Sequence, residues 1–201
     1  HLFQMQGSAL TLNGYTPGNR LRRSGDIEYV FGTNNDAGTT TGSLDLRVYR
    51  WRHDTTDITG TMPHIFGGKV VRGATGETLR NRLRLKAGAY VYTAIGGDTQ
   101  TPSGMAQENT ITIEAGARIT QSAIGGKTRG GLAEKNAVIV TGGQVRGNVY
   151  GADSAGAATR NGVFVTGGTI GADLFGARAT GLARENEVQI ESAVTGAVTG
   201  A

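Results

Sequence analysis

Gly131-Leu-Ala-Glu-Lys-Asn136-Ala-Val-Ile-Val-Thr-Gly-Gly143 is answered 25 residues later by Gly156-Ala-Ala-Thr-Arg-Asn161-Gly-Val-Phe-Val-Thr-Gly-Gly168. The same interval leads to Gly181-Leu-Ala-Arg-Glu-Asn186-Glu-Val-Gln-Ile190. A fixed period of about 20–50 residues marks a solenoid, a propeller or an array. Upstream, Asn109 heads Asn109-Thr-Ile-Thr-Ile113 and Asn81 heads Asn81-Arg-Leu-Arg-Leu85, at slightly longer intervals of 27 and 28 residues. A second marker runs in parallel, an apolar residue followed by two small ones: Phe66-Gly67-Gly68, Ile95-Gly96-Gly97, Ile124-Gly125-Gly126, Tyr150-Gly151-Ala152 and Phe175-Gly176-Ala177. Before Asn81 the pattern loosens, with Leu44-Asp-Leu-Arg-Val48 and Tyr29-Val-Phe-Gly32 as degenerate copies. Residues 1–75 are therefore expected to form degenerate coils or a cap, and residues 76–201 the regular repeats.

After each Asn the apolar residues fall at the second and fourth positions: Leu83/Leu85, Ile111/Ile113, Val138/Val140, Val163/Val165 and Val188/Ile190. Period-two alternation puts them on one face of a strand. Leu85, Ile113, Val140, Val165 and Ile190 are expected to line one interior column. A second strand carries Val91, Ile119, Val145 and Ile170, and a third apolar position is expected at Ile95, Ile124, Val149 and Leu174. No helical stripe competes, and the 34 glycines would each cost a helix interior about 1 kcal/mol. A unit of this size cannot bury its own apolar face. Stacked so that each strand pairs with its equivalent one coil away, the units make an all-β parallel β-helix of 25–29 residues per coil.

Asn81, Asn109, Asn136, Asn161 and Asn186 are expected to stack in one column as a structural ladder. Asn tolerates the left-handed backbone of a sharp turn, and its amide can hydrogen-bond to copies above and below. The Gly pairs read as turn and close-approach positions.

Composition narrows the chemistry. The absence of cysteine excludes a disulfide framework and a thiolate metal site. No run approaches the ~18 apolar residues of a membrane-spanning helix. The chain opens on His1-Leu2-Phe3-Gln4, which reads as vector or protease-site residue, and stops in mid-repeat at Ser192-Ala-Val-Thr-Gly-Ala-Val-Thr-Gly-Ala201. A longer parent protein is the expectation. The net charge of +4 lies wholly in the first half, where residues 1–100 hold 12 Lys/Arg against 8 Asp/Glu. Arg82, Arg84 and Lys86 alternate with leucines, and Arg50-Trp51-Arg52 precede them by about one coil. These six are the candidate ligand-binding residues, an outward cationic face for an acidic glycan or another anionic surface, with Trp51 as a sugar-stacking platform. Solvated strand-edge cations are the alternative. The aromatics are too scattered for a base-stacking stripe, so nucleic acid is not an expected partner.

Catalytic motifs fail on their own terms. Ser122-Ala-Ile-Gly-Gly-Lys-Thr128 ends like a phosphate-binding loop, but its first Gly is replaced by Gln121 and no helix follows. Ser154 lies among glycines without a strand–turn–helix context. The three histidines have no metal-binding spacing, and Phe31-Gly-Thr-Asn-Asn-Asp-Ala-Gly38 lacks the acidic spacing of a calcium loop. Glu114, Asp153, Asp173, Glu187 and Glu191 occupy non-equivalent repeat positions, so no stacked carboxylate pair for glycoside cleavage emerges. No catalytic residue, metal or cofactor is expected.

The units Asn136-Ala-Val-Ile-Val-Thr-Gly-Gly-Gln-Val-Arg-Gly-Asn-Val-Tyr-Gly-Ala152 and Asn161-Gly-Val-Phe-Val-Thr-Gly-Gly-Thr-Ile-Gly-Ala-Asp-Leu-Phe-Gly-Ala177 resemble the repeats of bacterial autotransporter passenger domains. The resemblance covers residues 76–191 and only faintly residues 1–75. It implies a right-handed parallel β-helix, exported to the cell surface through a C-terminal barrel outside this sequence. It also implies a non-catalytic role in adhesion, autoaggregation or biofilm. The partners would be a host-surface or extracellular-matrix ligand, a glycan, or a second copy of the chain. The alternative is a β-helix polysaccharide-active enzyme or phage-tail-like depolymerase.

Overall fold

A computed structural model describes residues 9–12, 29–35, 41–42, 45–48, 64–70, 76–192, 194 and 196–200, the first four segments by their backbone only. The described residues form a parallel β-helix. Strand Arg82–Leu85 pairs in parallel with Thr110–Ile113, which pairs with Ala137–Val145, then Gly162–Ile170, then Glu187–Ile190. A second ladder runs through His64–Val70, Tyr90–Thr99, Arg118–Thr128 and Val149–Ser154 to Leu174–Phe175 and Arg178–Ala179. A third, of two-residue strands, stacks Thr41–Gly42, Thr78–Leu79, Ala106–Gln107, Ala133–Glu134, Ala158–Thr159 and Ala183–Arg184. The two degenerate copies continue the stack. Asp45–Val48 pairs with Arg82–Leu85, and Tyr29–Asn35 pairs with His64–Val70, placing Phe31 opposite Phe66. Ala9–Leu12, which the repeat pattern does not reveal, pairs with Asp45–Val48.

Period-two alternation translates directly into burial. Leu85, Ile113, Val140 and Val165 are fully buried in one register column, which Ile190 closes as a partly buried residue packed against the same core. Val91, Ile119, Val145 and Ile170 form the expected second column.

The third apolar column differs from expectation. Ile95 and Ile124 do not align with Val149 and Leu174. The interior column there is Ala94, Ala123, Val149 and Leu174. Strand Arg118–Thr128 carries one residue more than its neighbour between Ile119 and Ser122, a bulge that shifts the count from the preceding strand. Ile95 and Ile124, in register with each other, lie outside this interior column. They stack with Phe66, Tyr150 and Phe175 in a separate apolar column that follows the second sequence marker.

The first glycine of that marker is explained by close approach, not by a turn. A Cβ on Gly67, Gly96, Gly125 or Gly151 would lie 2.3–2.5 Å from the carbonyl oxygen of the equivalent glycine one coil away. Any side chain there would push the coils apart.

The asparagines stack as expected, but the left-handed residue is their predecessor. Arg80, Glu108, Lys135, Arg160 and Glu185 hold φ of 53–58°, at a cost of about 1–2 kcal/mol each. Each turns the chain from a two-residue strand into the long one and swings the next backbone N–H inward, away from the coil-to-coil backbone ladder. The Asn side chain of the following coil receives it. Asn81 donates its backbone N–H and its Nδ2 to Asn109 Oδ1, at 3.1 and 2.9 Å. Asn109, Asn136 and Asn161 repeat the pair onto Asn136, Asn161 and Asn186. The second Nδ2 hydrogen goes back to a main-chain carbonyl, as from Asn136 to Ala106 at 2.8 Å. Each interior amide thus accepts two hydrogen bonds and donates two, so a polar column lies buried without an orphaned group.

Two stability measurements check these columns. Asn136→Ala strands the backbone N–H and Nδ2 of Asn109 and should lower unfolding free energy by at least about 2 kcal/mol, the cost of buried unpaired donors. Val140→Ala should lower it by about 1–3 kcal/mol through lost transfer energy and a small cavity. Unchanged urea midpoints would contradict the ladder in the first case and the inward orientation in the second.

Candidate functional site

The expected cationic face splits when placed on the coil. Arg82 is exposed and Arg84 half-buried, on the side opposite Leu83 and Leu85. Lys86 is bound to Glu114, Nζ to Oε2 at 2.7 Å, so its charge is locally neutralised. Arg47 aligns with Arg84 as its one-coil predecessor. Downstream, the registers of Arg82 and Arg84 continue as Thr110 and Thr112, then Ala137 and Ile139. The basic patch therefore ends within one coil. Arg50, Trp51 and Arg52 lie outside the described residues.

A different charged column crosses more of the molecule. Lys69, Asp98, Lys127, Asp153 and Arg178 occupy successive rungs of the second ladder, with the sign alternating at every step. Each is the third residue after the apolar marker: Phe66, Ile95, Ile124, Tyr150 and Phe175 precede them. That signal was present in the sequence, but the intervals between the charges are unequal. Aligned on the marker all five coincide, whereas aligned on Asn Lys127 falls one residue out of step with Asp98, Asp153 and Arg178. The Gly-Gly-Lys127-Thr stretch that ends like a phosphate loop is a strand in this ladder.

Local contacts fix each group differently. Lys69 Nζ lies 3.7 Å from Asp98 Oδ2 and 4.6 Å from the centre of the Phe66 ring. Gln100 Nε2 donates to Asp98 Oδ1. Asp98 is only 3% exposed, and burial pushes its carboxyl above the ordinary value; Lys69, Gln100 and Lys127 oppose this only in part. Arg178 grips Asp153 with two parallel bonds of 2.9 Å, from Nε and Nη2. Its guanidinium lies 4.7 Å from the centre of the Tyr150 ring, which stacks on Phe175 at 5.0 Å with the planes 7° apart. The Asp153 hydrogen bonds raise the Arg178 pKa further. A carboxylate fork and an aromatic face together hold this cation in one orientation.

Beside the ladder lies an open groove of about 380 Å³, spanning four coils and lined in part by Gln100, Lys127, Arg129, Asp153, Arg178 and Thr180. Small-molecule pockets start near this volume, at about 300 Å³. Among the described residues no group of three His, Asp or Glu side chains converges as a metal site, and no helix is long and apolar enough to cross a membrane. No protein-family model, curated protein or solved structure matches the chain.

Asp98 yields a pH prediction. Its folded pKa is raised, so the stability tied to its protonated form is fully present below the unfolded value of 3.8 and is lost as pH rises through the folded pKa. Asp98→Asn removes this loss. The stability difference, variant minus parent, should become more positive from pH 3.5 to 7 (about the span of carboxylate titration), as read from urea midpoints. A flat difference would show that Asp98 titrates normally.

Proposed function

We propose that this chain is a non-catalytic adhesive segment of a bacterial cell-surface protein of the autotransporter passenger kind. It acts as a rigid stalk that presents ligand-binding or self-associating surfaces. One observation carries the proposal: in neighbouring columns of the same strands, the inward residues stay constant in character while the outward ones change at every coil. Leu85, Ile113, Val140, Val165 and Ile190 are all aliphatic. The adjoining outward column runs Arg84, Thr112, Ile139, Phe164, Gln189. A fold in which scaffold and surface are separated residue by residue lets the surface vary without loss of core energy. That division suits display. The similarity of residues 76–191 to passenger repeats supports the same role and a location outside the cell.

A polysaccharide-active enzyme is the second reading, favoured by a specific feature. Asp98, with its raised pKa, and Asp153, ion-paired with Arg178, lie on alternate rungs. Two strand spacings separate them by about 9.6 Å, close to the span of an inverting carboxylate pair. The burial of Asp98 and the commitment of Asp153 to Arg178 weigh against catalysis.

A single set of assays separates the two. The purified protein is screened on immobilised glycans and extracellular-matrix proteins, its self-association is followed by sedimentation, and reducing-sugar release is measured on the same glycans. Binding or self-association without release of sugar ends is the expected result. Release that disappears in Asp153→Asn would replace adhesion by hydrolysis.

A further inference from the structure

The groove beside the alternating ladder is cationic in a spaced manner, and the spacing identifies a ligand class. Three cations, Lys127, Arg129 and Arg178, line the groove with one carboxylate, Asp153, which Arg178 already binds, while Asp98 on the rung before Lys127 is buried beneath the surface. Among the described residues, Lys127 and Arg129 have no carboxylate within ion-pairing distance. Arg178 spends two N–H groups on Asp153 and one, at 3.4 Å, on the Tyr150 hydroxyl. Two of its five N–H groups remain for a ligand. Its side chain is 58% exposed, so those donors are reachable, and the fork and ring hold them in place before any ligand arrives.

Lys127 and Arg178 stand on alternate rungs, with Asp153 between them. In-register strands repeat at about 4.8 Å, so the two cations recur at about 9.6 Å along the helix axis. An extended pyranose chain advances by about one strand spacing per sugar. Cations on alternate rungs therefore match an anionic group on alternate sugars. Asp153, on the intervening rung, disfavours a second anion there and offers an acceptor to the hydroxyls of a neutral sugar. A polyanion with a charge on every unit would put one against Asp153, where like charges repel.

We propose that this groove binds an acidic polysaccharide with one anionic group on every second sugar, its successive anions held by Lys127, assisted by Arg129, and by Arg178. The proposal rests on the adhesive reading and relocates its ligand site from the Arg82 and Arg84 face to a groove formed by four consecutive coils.

The test is direct binding by calorimetry at low and physiological salt. The probes are a hyaluronan oligosaccharide and an unsulfated chondroitin oligosaccharide (each with a carboxylate on alternate sugars), a polygalacturonate oligosaccharide (a carboxylate on every sugar), inorganic polyphosphate and neutral dextran. Hyaluronan and unsulfated chondroitin should bind best, with affinity falling as salt rises. The double variant Lys127→Gln/Arg129→Gln should weaken binding by roughly tenfold or more, the usual scale for lost charge-assisted contacts. Lys127→Arg should restore most of it. Arg82→Ser/Arg84→Ser should leave affinity within about twofold, since rim charges off the site act weakly. Unchanged circular dichroism secures the comparison.

Equal or tighter binding of polygalacturonate or polyphosphate would overturn the spacing. Binding lost with Arg82 and Arg84 but not with Lys127 and Arg129 would return the site to the first face. If no polyanion binds while the protein still adheres to matrix or to itself, the groove proposal falls and the adhesive one stands. If hyaluronan binds the groove but reducing ends are released, the site stands and the non-catalytic reading falls.

Discussion

Parallel strands stacked in register cannot satisfy their own corners. Along each straight segment, main-chain N–H groups reach the carbonyls of the next coil. Where the chain turns sharply into the long strand, one N–H per coil points inward. In a dry interior an unpaired amide costs on the order of 1–3 kcal/mol, and the cost recurs at every coil. The column from Asn81 to Asn186 removes it, because each side-chain oxygen accepts the backbone N–H of the previous coil. Aspartate would supply the acceptor but bring a buried charge and lose the Nδ2 bond to the next carboxamide. Glutamine would carry the amide one methylene too far. The left-handed residue before each Asn is the local strain that this ladder offsets.

That corner dictates what surrounds it. Because coils must approach to the hydrogen-bonding distance of a sheet, the marker glycines cannot gain a Cβ without meeting a carbonyl. The same close stacking aligns side chains rung on rung, so apolar residues gather into columns as cleanly as charges do. Phe66, Ile95, Ile124, Tyr150 and Phe175 form one such stack outside the main core. Lys69, Asp98, Lys127, Asp153 and Arg178 form another three residues further along. Like charges on adjacent rungs would repel at about 4.8 Å. Alternation of sign is the arrangement that lets five ionisable residues share a column. Its by-product is a set of cations at twice the strand spacing, on which the proposed selectivity of the groove rests.

The outward basic row around Arg84 lacks this organisation. Among the described residues it does not continue downstream of the coil of Arg82–Leu85, and Lys86 is already occupied by Glu114. A patch read from local sequence density is thus weaker, as a site, than charges distributed one per coil. Cationic residues adjacent in sequence alternate with leucines along one strand. The groove's cations come from two repeats, Lys127 and Arg129 from one and Arg178 from another two rungs away.

The period, the alternation after each Asn and the repetition of Asn itself determine a parallel β-helix from sequence alone, because stacking is the one way that so short a unit buries an apolar face. The interior columns through Val140 and Ile119 follow from the same alternation. Tertiary structure decided what depends on alignment between coils of unequal length: that Ala94 and Ala123, not Ile95 and Ile124, face the core; that the left-handed turn falls on Arg80 and its equivalents instead of on Asn; and that five charges scattered at irregular intervals become one ladder beside a groove. Inter-coil hydrogen bonds fix that alignment, while bulges and turns absorb the extra residues. Equal position in space therefore does not require equal spacing along the chain.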